Sequence, residues 1–168
     1  MILPRQRINP CLWFNDQAVP AATRYCAIFP NSRILSVVAY TEAGREHHPF
    51  KPGDPMTVSF ELDGQPFVAL NGGPIFSFTE AISLQVLCED QAEIDHYWMA
   101  LSEGGDPQAQ VCGWLKDRFG LSWQVTPRAL LEMLADPDPA RATRVAEAMF
   151  QMQKFDLAAL RRAHAARG

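Results

Sequence analysis

The sequence predicts an α+β protein: two βαβββ modules whose curved, mixed sheets enclose a cavity, followed by a C-terminal helical extension. Three observations lead there. Asp16-Gln17-Ala18 recurs 74 residues later as Asp90-Gln91-Ala92, each time between a strand-like run and a helical stretch, and such internal echoes mark duplicated structural units. After each helical stretch come three short segments of strand character. Beyond Thr126-Pro127 the strand pattern gives way to helices. The expected boundaries are modules 1–74 and 75–127, paired as one domain, with the extension over 128–168.

The first module opens on the strand-like run Ile8–Phe14, followed by a helix whose stripe is Ala18, Ala22, Tyr25, Cys26 and Phe29, stopped by Pro30. Arg33–Tyr40 is apolar and β-branched. Met56–Leu62 alternates, and Pro66–Leu70 follows the turn residues Asp63-Gly64, which favour a tight hairpin. The second module repeats the order, with the strand Ile82–Cys88 and a helix beginning at Asp90. That Asp, with Glu93 three residues on, forms a capping-box pattern, and Ile94, Tyr97, Trp98 and Leu101 make one apolar face. Gly104-Gly105 ends the helix. Gln108–Cys112, Trp114–Arg118 and Leu121–Thr126 are its strands, with Gly113 and Gly120 at turns.

In the extension, Arg128–Ala135 is helical. Pro137-Asp138-Pro139 supplies a cap and a first-turn proline for a second helix, and Asp156 opens a third. Val145, Met149, Met152 and Phe155 share a face. It is read either as packing on a core or second subunit or as a Met-rich binding groove.

A net charge of -4 argues against a nucleic-acid partner, because neutralising phosphates takes a basic face. The one basic cluster, Arg161, Arg162 and Arg167, reads as the cationic end of a helix. No apolar run approaches the roughly 20 residues of a membrane span, and the charged start lacks the apolar stretch of a signal peptide. Cys11, Cys26, Cys88 and Cys112 form no Cys-x-x-Cys pair and read as small buried hydrophobes of a cytoplasmic protein.

Several residues carry candidate chemistry. On Met56–Leu62, Val58, Phe60 and Leu62 share one face and Ser59 and Glu61 the other; if the apolar set meets the helix, Glu61 faces the cavity as a general base or cation ligand. Its alternative is a solvated polar edge. Cys112 is a candidate nucleophile if Lys116 or Arg118 lowers its pKa, and otherwise a structural thiol. Trp13, Trp114 and Trp123 are core residues or walls for a planar ligand. His47-His48, in the long connection Thr41–Pro55, belong to a solvated loop or a lid. His96 and His164 are read as surface residues.

Three stretches then carry a resemblance: Leu70-Asn71-Gly72-Gly73-Pro74-Ile75-Phe76, Val86–Asp95 and Cys112–Gln124. They are similar to the PhnB-like proteins of the glyoxalase/bleomycin-resistance/dioxygenase superfamily, also called vicinal oxygen chelate proteins. The turn Asp117-Arg118-Phe119-Gly120 resembles that superfamily's Asp-Pro-x-Gly turn. Ala148-Met149, Met152 and Lys154-x-Asp156-Leu157-Ala158 resemble the end of the PhnB-like branch, so the likeness spans nearly the whole chain. It implies paired βαβββ modules, a homodimer and a ligand cavity under each sheet.

Members of this branch carry the label 3-demethylubiquinone-9 3-methyltransferase, but methyl transfer from S-adenosylmethionine needs a Gly-rich strand-to-helix turn on a parallel sheet. Gly72-Gly73-Pro74 does not meet that description. Metal enzymes of the superfamily place His, Glu or Gln on the first and last strands of each module. This sequence has Asn9 and Cys11, then Val68 or Ala69, then Ser83 and Gln85, and finally Gln124. Only Gln85 and Gln124 offer oxygen donors, so no metal ligands and no cofactor are expected. The expected cavity residues are Cys11, Trp13, Ser59, Glu61, Gln85, Trp114 and Gln124, and the expected function is small-molecule binding or diverged catalysis without a metal. The alternatives are a metal-dependent lyase, isomerase or dioxygenase using Gln124, Glu61 and a loop histidine, with a divalent metal as cofactor, and a dimeric interaction protein whose cavity is filled by side chains.

Overall fold

The computed structural model describes residues 6–166; the chain start through Arg5, and Arg167 of the basic cluster, lie outside them. Two compact units make up the chain, Met1–Phe78 and Thr79–Gly168. Among the described residues no helix is long and apolar enough to cross a membrane.

The first unit holds β1 (Cys11–Phe14), α1 (Ala18–Ile28), β2 (Arg33–Ala39), β3 (Pro55–Leu62) and β4 (Gln65–Asn71). Its open sheet has the order β1-β4-β3-β2, with β1 parallel to β4 and the other neighbours antiparallel. The predicted alternation on β3 holds: Val58, Phe60 and Leu62 are buried on the side that α1 covers, joined by Phe67 and Ala69 of β4 and by Leu12 and Phe14 of β1. Helix α1 contributes Ala18, Ala21, Ala22 and Tyr25. Cys26 and Phe29 are only half-buried, because small alanines bring the helix backbone close to the sheet and leave the stripe's far end at its margin.

The second unit repeats the topology with β5 (Leu84–Cys88), α2 (Gln91–Ser102), β6 (Asp106–Val111), β7 (Trp114–Lys116) and β8 (Ser122–Pro127), in the order β5-β8-β7-β6. The predicted cap forms: Glu93 N donates to Asp90 Oδ1 at 2.9 Å, and Glu93 reaches back to accept from Glu89 N at 2.7 Å. The Asp-Gln-Ala echo hides a difference. Asp16 does not cap α1; instead Ala18 N donates to Asn71 Oδ1 at 2.8 Å. Asn71 also donates to Pro55 O at 2.9 Å and accepts from the Tyr40 hydroxyl at its carbonyl, so one buried side chain at the end of β4 ties helix, sheet and loop together.

Helices α3 (Arg128–Leu134), α4 (Pro139–Phe150) and α5 (Leu157–Ala165) belong to this second unit. Asp138 caps α4 by accepting from Ala140 N, and Asp156 caps α5 by accepting from Ala159 N. Of the Met-rich stripe, Val145 and Phe155 are buried while Met149 and Met152 are half-buried. The strand predicted over Gln108–Cys112 stops at Val111. Cys112 and Gly113, with φ of 49° and 78°, form the two-residue turn joining Val111 to its partner Trp114, the positive-φ geometry that matches strand twist.

Candidate functional site

Each sheet has one face turned away from its helix, and the expected site residues fall on these faces. In the first unit, register sets Cys11 beside Val68, Val68 beside Ser59 and Ser59 beside Ser36. Trp13 stands next to Leu70, which pairs with Thr57, and Glu61 pairs with Arg33 across the β2–β3 ladder. The structure thus brings Cys11, Trp13, Ser59 and Glu61 onto one face.

Two of these residues are already engaged. Arg33 and Glu61 form an ion pair at 3.0 Å, which occupies the carboxylate that a general base would need free. Trp13 donates from Nε1 to Gly73 O at 2.9 Å and meets the edge of Phe76 at a centroid distance of 4.9 Å. Its ring lies so close to Gly72 that a Cβ there would stand 2.1 Å from it. With Phe78 packed edge-on against Phe14, the Gly72–Phe78 segment clasps β1. The Gly-Gly-Pro stretch therefore does mechanical work at a sheet edge.

In the second unit, Gln85, Gln124, Trp114 and Val111 form one continuous cross-strand row. Gln124 Nε2 donates to Ser83 Oγ at 2.8 Å. One step along, Lys116 pairs with Ser122, whose buried hydroxyl has no hydrogen-bond partner among the described residues. Lys116 makes an ion pair with Glu80, and its hydrogen bond, chiefly, holds the Glu80 carboxyl below the usual carboxylate range. Sequence reasoning missed Lys116 as a site residue. The signal was present, since it is the single cation on the four strands of this sheet.

Cys112 lies in the turn between β6 and β7, held by the C-terminal segment. Its Sγ donates to Met149 O at 3.5 Å and its backbone N–H to Met152 O at 2.8 Å. Lys116 pairs with Glu80, and Arg118 with both the carboxylate and carbonyl of Glu103. The Cys112 contacts dock the turn on the C-terminal segment. The thiols differ in degree: burial pushes Cys88 up to about 12, aided by Glu93, Asp90 and Glu89, while burial also raises Cys26 and Cys11, though Cys11 stays at the surface. Because alkylation needs the thiolate, iodoacetamide on the native protein is expected to modify exposed Cys11 and leave Cys88 untouched until denaturant is added. Peptide mapping that finds Cys88 labelled natively as fast as Cys11 would refute this.

The histidines divide. His47 is solvated as expected, beside Glu46 at 3.2 Å. His48 is not: its ring packs 4.1 Å from that of Tyr40, which stacks on Phe50, so the connection carries its own aromatic cluster. His164 is also more than a surface residue, since Nε2 lies 2.7 Å from Asp136 Oδ2 and joins α5 to the α3–α4 connection. A groove of about 620 Å³ runs beside α5, lined by Gln91, Phe155, Arg161 and Arg162 among others. Gln91 is spent there on Phe155 O, Asp95 and Leu157 N. Among the described residues, no group of three or more His, Cys, Asp or Glu is placed to hold a metal ion.

Comparison with known proteins is consistent with this geometry. The family model described as 3-demethylubiquinone-9 3-methyltransferase matches residues 6–126. The PhnB protein of Bacillus cereus, provisionally described as a 3-demethylubiquinone-9 3-methyltransferase, is 35% identical with a TM-score of 0.61, over 73% of this chain and 99% of that one. Protein PA1353 of Pseudomonas aeruginosa is 20% identical with a TM-score of 0.55, over 73% of this chain and 97% of its own, and shares the fold. Curated proteins give no match. The chain belongs to the 3-demethylubiquinone-9 3-methyltransferase family, in its PhnB-like branch.

Proposed function

We propose that this protein binds a small molecule on the open faces of its sheets, as a binding protein or diverged enzyme that works without a resident metal. The observation that carries the reading is the donor set. A divalent cation held tightly needs imidazole, thiolate or carboxylate ligands. The first face offers one carboxylate, Glu61, paired with Arg33, and one thiol, Cys11, whose pKa burial raises. The second offers the amides of Gln85 and Gln124, one of them tied to Ser83. Taken singly, neither face fits a metal. What they do present is apolar surface beside a few polar groups, the usual composition of a small-molecule site.

Methyl transfer, the activity in the family's description, draws no support from these residues. Gly72 and Gly73 are folded against Trp13, and only one strand pair in each sheet is parallel, unlike the sheet on which an S-adenosylmethionine site is built. The same reading takes the protein as a cytoplasmic homodimer, its four separate thiols suiting a reducing compartment.

The test is elemental analysis after incubation with Zn²⁺, Mn²⁺, Fe²⁺ and Ni²⁺ and exhaustive dialysis. Substoichiometric retention is expected from donors of this kind. Stoichiometric retention of any of the four overturns the proposal. Native mass spectrometry of protein taken directly from cells then searches for the bound metabolite.

A further inference from the structure

We propose that the open face of the second unit takes a carboxylate-bearing, planar small molecule on Lys116, and that Glu80 is the built-in competitor occupying that cation when no ligand is present. This rests on the small-molecule reading above and specifies its chemistry. On the strands of this sheet Lys116 is the single cation. Its side chain is only 25% exposed, so leaving the ammonium without an anion is costly. The anion it now has comes from outside the sheet. Glu80 sits in the irregular stretch before β5, and its side chain is 64% exposed.

A pair with so exposed a partner contributes only about 0.2–1 kcal/mol and is replaceable by an incoming carboxylate. The surroundings supply the rest of a site. Ser122, in register with Lys116, holds a buried hydroxyl with no partner among the described residues, a donor and acceptor open to a bonded group. Two strand positions from Ser122, the Gln124–Ser83 pair lies between Trp114 and Gln85 in the cross-strand row. An indole face and two amides suit a flat body with polar edges. One cation, one hydroxyl and amide groups match a monoanion better than a phosphate dianion, and the ammonium already pairs with one carboxylate, that of Glu80.

Isothermal titration with naphthoate as probe, and naphthamide as its neutral counterpart, tests the assignment. Naphthoate is expected to bind the wild type, and Glu80→Gln to tighten it about two- to fivefold, the loss of a competing surface pair converted to affinity. Lys116→Met is expected to weaken naphthoate at least about tenfold, the scale of losing a charge-assisted contact, while Lys116→Arg keeps most of it. Circular dichroism shows whether each variant is folded. If naphthamide binds the wild type as well as naphthoate, or folded Lys116→Met binds naphthoate unchanged, the carboxylate assignment fails while the small-molecule reading stands. Failure of wild type and Glu80→Gln alike to bind naphthoate at millimolar concentration also sinks it. Metal retention in the dialysis experiment instead overturns the reading beneath it.

Discussion

Gly113→Ala is expected to lower stability by about 2–5 kcal/mol, the sum of two separable costs. The first is conformational. Gly113 sits at φ 78°, where an L side chain costs roughly 1–2 kcal/mol. The second is steric, because a Cβ at this position would stand 2.3 Å from the Phe155 ring, which is 2% exposed and has nowhere to retreat. Overpacking of that kind costs about 1–3 kcal/mol. The backbone cannot swing aside either: Gly113 N donates to Gln153 O at 2.7 Å and its carbonyl accepts from Val125 N at 2.8 Å. At about 2–4 °C per kcal/mol for a chain of this size, the melting temperature should fall by roughly 4–20 °C. Gly120→Ala is the control, since it shares the positive φ but its Cβ meets nothing within 4 Å. Calorimetry that finds the two variants melting together would show that the contact with Phe155 is not the strained element.

That contact also shows where sequence reasoning reaches and where it stops. Gly113 was legible as a turn, since Gly between two β-rich runs has a local cause. Its contact with Phe155, 42 positions on, has no local signature. The same division runs through the site. Strand alternation correctly set Val58, Phe60 and Leu62 against Ser59 and Glu61, because side-chain period is a backbone property. The engagement of Glu61 by Arg33, of Trp13 by Gly73 and of Lys116 by Glu80 depends on strand register and on how an irregular segment crosses a sheet edge. Neither is written in any one stretch of residues. Asp16 and Asp90 make the point most sharply: identical tripeptides, yet only Asp90 caps its helix, because Asn71 of β4 already occupies the start of α1. Duplicated sequence preserved the topology while the two copies solved the same capping problem with different atoms.

Asp117 is where a legible motif and an illegible contact coincide, and its replacement carries the second large expected effect. The turn Asp117-Arg118-Phe119-Gly120 is closed by Asp117 N donating to Leu121 O at 3.0 Å and Gly120 N donating to Asp117 O at 2.9 Å. The side chain, buried at 5% exposure, accepts three further bonds: Oδ1 from Phe119 N at 2.8 Å and Leu121 N at 3.1 Å, and Oδ2 from Trp123 Nε1 at 2.8 Å. Asp117→Ala removes the acceptor of these three bonds, two of them from the buried residues Leu121 and Trp123. At about 1–3 kcal/mol for each buried group left unpaired, and allowing for water to reach the turn's outer N–H, the expected loss is about 2–4 kcal/mol. Asp117→Asn keeps an oxygen for the two backbone donors but turns an amide N–H₂ toward the indole N–H, so it should lose about half as much. Trp123 lies in register between Leu84 and Leu115 and immediately precedes Gln124. A loosened indole therefore disturbs the row that carries the proposed ligand face, and naphthoate affinity should fall in the same order as stability. Guanidinium denaturation followed by tryptophan fluorescence gives the ranking: wild type, then Asn, then Ala. An alanine variant within about 0.5 kcal/mol of wild type, the span of an ordinary surface change, would mean that the three bonds into this carboxyl group are dispensable, and that the turn is held by its backbone alone.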